Sequence, residues 1–244
     1  MTDVDPYALV ASLYDAEFSG AAPDAAFFAR SGESGRLLVL GCGTGRVSAL
    51  LAQTRPVTGV DRSEPMLALA RRKDPSSTYV HADITAHVAG AVGEVVVPNG
   101  TFGFLRTRAQ RAACLLRARD ALRESGGPLT IDLPFPDVRL LGVPHTPEAL
   151  AWEGWLDGRP ARRSREVFRR AATLEIDLVD RFHVDDILVA TSTLPLRLSW
   201  PDELEWMLEA CGFWVESMVG DYAGGPIRDG CPRLIARARP LEPR

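Results

Sequence analysis

Leu37-Leu-Val-Leu-Gly41-Cys-Gly43-Thr-Gly45-Arg-Val47 sets four apolar residues against three glycines spaced by two, and an amphipathic stretch follows at once over 46–53. A short apolar run bounded by glycine reads as a buried strand, here over 36–40. Glycines directly after it let the backbone turn sharply and pass close beneath a ligand, where a side chain would clash. A second apolar run, 57–60, ends in Asp61, twenty positions beyond Gly41. A carboxylate there can accept hydrogen bonds from both hydroxyls of a ribose. The segment is thus a strand–turn–helix–strand unit with an adenosine site at the carboxyl ends of its strands.

The alternation continues outward from this unit. The pattern predicts a helix over 64–73, strands over 78–82 and 94–97, a long helix over 106–124 stopped by Gly126-Gly127, and a strand over 128–133. Strands alternating with helices imply a parallel, doubly wound α/β sheet covered on both faces. Upstream, Tyr7, Leu9, Val10, Leu13, Tyr14, Phe18, Phe27 and Phe28 fall at helical spacings within 5–30 and predict two short helices. Downstream the period changes. Residues 134–199 carry two-residue alternation over 173–183 and 187–198, the mark of antiparallel strands inserted over the sheet. A helix over 201–211, a Gly212 stop, and strands over 213–219 and 233–239 then close the chain as an antiparallel hairpin on the sheet edge.

Composition narrows the partners. With 46% hydrophobic residues in 244, the chain can bury a full core. The 28 basic residues are dispersed among 32 acidic ones, so no field is built to attract a polyanion and nucleic acid is excluded as the expected partner. No run approaches the roughly 18 to 20 apolar residues of a membrane span, and the acidic start lacks the basic flank of a signal peptide, so the reading is cytoplasmic. The four cysteines contain no Cys-x-x-Cys pair and the four histidines stand at no ligand spacing, so no metal site is expected.

A dinucleotide-binding fold shares the glycine turn and the distant acid, but its third glycine would fall at position 46, which is Arg46. The Gly-x-Gly-x-Gly turn instead resembles the class I S-adenosylmethionine-dependent methyltransferases of the small-molecule type. The resemblance runs through Leu13-Tyr14-Asp15, the segment Val57 to Arg71, His81-Ala-Asp83-Ile84, and Val97-Pro98-Asn99-Gly-Thr-Phe102. It implies one methyltransferase-like domain over 1–244: lid helices in 1–35, a cofactor-binding core in 36–133, a substrate-side insertion in 134–199, and a closing helix and strands in 200–244. It further implies S-adenosylmethionine as cofactor and S-adenosylhomocysteine as product. Gly41, Cys42, Gly43 and Gly45 would line the methionine and ribose, Asp61 would hold the ribose, and Arg62 and Met66 would border the adenine. Asp83 and Ile84 would read the adenine edge, Asn99 would sit beside the methyl group, and Tyr14 would reach toward the cofactor. Two of these carry a second reading, Met66 as helix core and Tyr14 as helix packing.

One position departs from the family. The acidic residue usual two positions before the first glycine, where it helps hold the cofactor's amino group, is Val39. Loss of a carboxylate opposite an ammonium is expected to weaken binding by about 1–3 kcal/mol if the contact is desolvated. Glu94 stands at the acidic entry of the fourth strand, a milder change.

Methyl transfer needs an aligned nucleophile, and a base only where that nucleophile is protonated. His145, in the stiff Val-Pro-His-Thr-Pro loop, His183 and Tyr14 are the candidate catalytic residues, although for His183 an exposed strand histidine is the favoured reading. Tyr7, Phe102, Trp152, Arg197 and Tyr222 are the candidate substrate contacts, with Asp221-Tyr222 also readable as a plain turn. Trp152, Trp155, Trp200 and Trp206 offer apolar surface suited to a hydrophobic acceptor. The leading reading is methyl transfer to an oxygen, nitrogen or carbon of a small molecule, in specialised metabolism, by a monomer or homodimer. Val39 keeps open a cofactor-bound cyclisation or rearrangement, and a noncatalytic scaffold; a nicotinamide oxidoreductase is disfavoured by Arg46.

Overall fold

The computed structural model describes residues 7, 10–18, 23–30 and 33–241. Two short helices, α1 (Ala11–Glu17) and α2 (Pro23–Ala29), precede β1 (Leu37–Leu40), α3 (Arg46–Leu51), β2 (Val57–Asp61), α4 (Glu64–Lys73), β3 (Thr78–His81) and β4 (Glu94–Val97). A 3-10 turn (Thr101–Phe104) leads into α5 (Arg108–Leu122), β5 (Leu129–Pro134) and α6 (Val138–Leu141). Four long strands follow, β6 (His145–Leu156), β7 (Arg159–Arg170), β8 (Glu175–Val184) and β9 (Ile187–Arg197), then α7 (Pro201–Ala210), β10 (Phe213–Val219) and β11 (Arg233–Pro240). The helix spacing read at Leu9, and the beginning of that segment at Asp5, lie outside the described residues.

The first sheet has seven strands in the order β10-β11-β5-β4-β1-β2-β3, parallel from β5 to β3 and antiparallel at the β5–β11–β10 end. The order reverses direction at β1, where the chain moves first to β2 and β3 and later to β4, so a crevice opens at the carboxyl ends of β1 and β4. Both faces of this sheet are covered. All four residues of β1 and of β4 are buried, and the α5 and α7 face is packed with Leu115, Leu122, Leu204 and Leu208. On the opposite face, Val39 joins Ala25, Phe28, Val47 and Leu51. α5 begins in a capping box: Thr107 accepts from the Gln110 backbone at 3.2 Å while the Gln110 side chain accepts from the Thr107 backbone at 3.1 Å. That pair starts the helix two residues later than the sequence pattern alone placed it.

The second sheet is separate, four antiparallel strands in the order β6-β7-β8-β9. Its strands β8 and β9 match the alternation read over 173–183 and 187–198; β6 and β7 were not anticipated, and with them His145 moves from a loop to the first residue of a strand. One face packs Ala161, Phe182, Val184 and Ala190 against Val10 and Leu13, which ties α1 to this sheet. The tie includes ions: Arg163 bridges Asp180 at 3.0 Å and Glu17 of α1 at 2.6 Å.

Candidate active site

The crevice at the sheet's topological reversal is a cavity of about 810 Å³. Its floor is the glycine turn. Gly41 (φ 76), Gly43 (φ 54) and Gly45 (φ 73) all occupy left-handed backbone, where a side chain is disfavoured. They serve different ends. A Cβ on Gly41 would strike Thr101 Cγ2 at 2.1 Å and one on Gly45 would meet Ala70 and Tyr79 at 2.9 Å, whereas one on Gly43 would meet nothing within 4 Å. Gly43 therefore presents bare backbone to open space, a cradle for a ligand. Gly45 lies outside the lining: it permits α4 and β3 to approach.

Asp61, at the end of β2, is fixed by the backbone it serves: its Oδ2 accepts from Gly43 N at 2.8 Å and its Oδ1 from Ser63 N at 2.9 Å. A carboxylate oxygen can accept more than one hydrogen bond, so ribose hydroxyls are chemically suited donors to Asp61. Arg62, Met66, Asp83 and Ile84 extend the same wall. Met66 is 2% exposed, so it both lines the cavity and packs α4, and its two readings coexist. Asp83 is oriented by Thr85, whose N and Oγ1 both donate to Oδ1 at 2.7 Å.

The other end of the cavity is aromatic. Asn99, in left-handed backbone (φ 53), donates from Nδ2 to Tyr14 Oη at 2.8 Å, and its own backbone N donates to Asp132 Oδ2 at 2.9 Å. Tyr7 meets Tyr14 edge-on at 5.8 Å and Phe104 at 6.0 Å. Burial pushes both tyrosine phenols up, so they remain protonated donors. Cys42 also lines the cavity, its thiol raised well above the usual range by burial and then by Asp61. At the mouth, Arg106 pairs with Glu175 at 2.8 Å. The Arg106 hydrogen bond, followed by that from Arg170, holds Glu175 down to about 2.

The structure thus brings Tyr7, Tyr14, Gly41, Cys42, Gly43, Asp61, Arg62, Met66, Asp83, Ile84 and Asn99 to one cavity. Besides Gly45, whose role is corrected to packing, six other candidates lie elsewhere. His145 on β6 bonds Glu166 at 2.9 Å and stacks on Phe168 at 4.7 Å, which corrects its assignment as a base beside the cleft. His183 lies in β8 opposite Arg162, away from the lining, and is corrected likewise. Phe102 is fully buried beneath Arg111 at 5.4 Å and cannot touch an acceptor. Trp152 packs onto the apolar cluster between α1 and the second sheet, Arg197 pairs with Glu203 in a different cleft, and Tyr222 donates to the buried Asp132 at 2.8 Å. Trp155 and Trp206, at 68% and 71% exposure, face solvent, and no tryptophan lines the cavity. Among residues not anticipated, Thr44, Arg46, Thr101, Phe104, Thr107, Gln110 and Pro195 join the lining. Of these only Arg46 and the Thr107-x-x-Gln110 box carried a sequence signal.

Residues 37–126 match a family model described as a methyltransferase domain. A trans-aconitate 2-methyltransferase of Rhodopseudomonas palustris (strain BisA53) is 34% identical over 102 residues, a stretch that spans 41% of this chain and 38% of that protein. Solved structures resemble the chain over most of its length. The CcbJ methyltransferase of Streptomyces caelestis superposes with TM-score 0.81 at 21% identity, covering 98% of this chain and 100% of that one. CalS10, an amino pentose methyltransferase of Micromonospora echinaspora solved with S-adenosylmethionine bound, gives TM-score 0.72 at 22% identity, covering 94% and 97%. Among the described residues no helix is long and apolar enough to cross a membrane.

Proposed function

We propose that the chain is a class I S-adenosylmethionine-dependent methyltransferase, supported by the methyltransferase-domain match over residues 37–126, and that it methylates a small molecule at an amine nitrogen or a carboxylate oxygen. The observation that carries this reading is the convergence of the glycine turn, Asp61, Asp83, Ile84 and Asn99 on one cavity large enough for a nucleoside-sized cofactor and a small acceptor. When bound, S-adenosylmethionine supplies a methyl group made electrophilic by the sulfonium. The residues present fit that group. Gly43 offers backbone without obstruction, the Asp61 carboxylate receives the ribose, and the Asp83–Ile84 segment reads the adenine edge. Tyr7, Tyr14 and Phe104 line this end of the cavity, and aromatic rings there would favour a cation beside them.

The acceptor class follows from the state of the ionisable side chains on the lining. Tyr7, Tyr14 and Cys42 are held protonated by burial, Glu175 is bound to Arg106 and far too weak a base, and the carboxylates Asp61 and Asp83 are engaged by the Gly43 and Ser63 backbone and by Thr85. An acceptor that arrives unprotonated needs no base, and amines in their neutral form and carboxylates satisfy this. Small molecules of both kinds are acted on by the proteins named above, an amino pentose and trans-aconitate. Carbon methylation, which requires a proton to be removed, is disfavoured.

The test is calorimetric titration with S-adenosylmethionine and S-adenosylhomocysteine, followed by transfer of labelled methyl to a panel of amino sugars and polycarboxylates. Micromolar binding of both ligands and label in an acceptor are expected. With an amine acceptor, kcat/KM should rise with pH along the acceptor's own ionisation. Absence of binding to either ligand would sink the reading.

A further inference from the structure

The position that departs from the family, Val39, is no part of the cavity. It is wholly buried against Ala25 and Phe28 of α2 and Val47 of α3. α2 brings a carboxylate to the same neighbourhood one residue before Ala25: Asp24, 4% exposed. Asp24 Oδ1 accepts from Arg46 Nη1 at 2.8 Å and from Ala25 N at 2.9 Å, and Oδ2 accepts from Arg46 Nη2. The hydrogen bonds of Asp24 are the largest influence raising Arg46, and the guanidinium stays charged. Arg46 lines the cavity; Asp24 does not.

The two ends of the cavity can be told apart. Asp61 ends β2 and the Asp83–Ile84 segment follows β3, so the adenosine would lie over that side of the sheet. Arg46, Tyr14 and Asn99 lie toward the other side, by β1 and β4, where the amino-acid part of the cofactor must extend. Arg46 is aimed from two directions: Asp24 grips its tip, and the Phe18 ring lies 5.8 Å from its Cζ. A forked pair with one carboxylate uses two of the five guanidinium N–H bonds and leaves three donors. The adjoining turn is clamped as well, because Thr44 donates to Asp15 Oδ1 of α1 at 2.7 Å and Lys73 bonds the same oxygen at 2.5 Å.

We propose that Arg46, held and charge-balanced by Asp24, receives the carboxylate of the cofactor's methionine moiety, replacing the missing acid at position 39 by a grip of opposite polarity. Where resembling proteins hold the zwitterion by its ammonium, this chain holds it by its carboxylate. The inference rests on the methyltransferase reading above. It also makes α2 part of the binding site, since the guanidinium is fixed only while Asp24 stands beside it.

The experiment compares S-adenosylmethionine with decarboxylated S-adenosylmethionine, which keeps the adenosine, sulfonium and ammonium and lacks the carboxylate. Calorimetric affinities are measured for the wild type, Arg46→Gln, Arg46→Lys and Asp24→Asn, with thermal unfolding recorded for each. Arg46→Gln should weaken S-adenosylmethionine by about tenfold or more, leave the decarboxylated ligand within about twofold, and be partly rescued by Arg46→Lys. Asp24→Asn should reproduce the same selective loss more weakly. Equal weakening of both ligands, or no change in either, would overturn the inference and leave the function standing. Binding of neither ligand by the wild type would overturn the functional reading and this inference with it.

Discussion

The two sheets place their charged groups in opposite ways. In the seven-stranded sheet β1 and β4 carry buried apolar interiors, as at Val39, Val95 and Val96, and the carboxylates Asp61 and Asp83 stand at or just beyond strand ends; Asp132, buried inside β5, is the exception and accepts from Arg233, Tyr222 and the Asn99 backbone. In the four-stranded sheet, charges run along the strands and meet across them: Arg165 with Asp180 at 2.6 Å, Arg181 with Glu166 at 3.1 Å, and Arg170 with Asp177 at 2.9 Å. Helices on both faces leave little room for polar groups inside the first sheet unless they are fully partnered, as Asp132 is, and the strand ends become the site. A sheet with a wet face lets strand side chains satisfy each other in place. A histidine or arginine in the second sheet is therefore ordinarily a partner in a ladder, as His145 is to Glu166.

The sharpest way to break this contrast is to put an unpartnered charge inside the first sheet. Val39→Asp should lower stability by about 3–5 kcal/mol, because Ala25, Phe28 and Val47 offer the carboxylate no donor. Urea unfolding measures the loss, and affinity for S-adenosylmethionine should not rise. A stable Val39→Asp protein with tighter binding would mean that the position faces the ligand after all.

The next largest effect lies where the regions join. Arg111 of α5 is wholly buried, with burial pulling it down to about 10, and donates to Leu105 O at 2.7 Å, Ser199 Oγ at 2.8 Å and Arg197 O at 2.7 Å. One side chain thereby fastens the first sheet's helix to the exit of β9. Arg111→Met keeps the volume and strands those acceptors, at an expected cost of about 2–4 kcal/mol. Amide exchange should accelerate along β9 before it does in β1.

How much could be read in advance divides along the same line. The glycine turn and Asp61 were legible because backbone conformation and a strand-end carboxylate leave local marks. β6 and β7 were not, because arginines at 159, 162, 163, 165, 169 and 170 fall on both faces of β7 and erase the alternation that marked β8. The lining residues Phe104 and Pro195 reach the cavity only through long-range folding, which no local pattern records. Phe102 shows the reverse error: a motif neighbour of Asn99 with the right spacing points into the core.

A smaller change sharpens the difference between holding the fold and holding the ligand. Gly43→Ala places a Cβ in open space at φ 54, so only about 1 kcal/mol of backbone strain is expected in stability. The same methyl group enters the cavity, and S-adenosylmethionine should bind at least about tenfold more weakly. A thermal midpoint that falls as far as that of Val39→Asp would show that the turn is a structural element first.

The smallest effect belongs to the latch between the regions, Arg106 of the first with Glu175 of the second. Both side chains are partly exposed, 42% and 21%, so the pair contributes below about 1 kcal/mol after solvent screening. Glu175 is depressed to about 2, below its unfolded value, so its contribution is complete above about pH 4.5 and disappears as pH falls toward 2. Urea midpoints of the wild type and Glu175→Gln should therefore differ by a small constant amount from pH 8 down to about 5 and converge below. Convergence already near pH 6 would mean that the carboxylate is not held by arginine, and that it is free to take part in proton transfer at the cavity mouth.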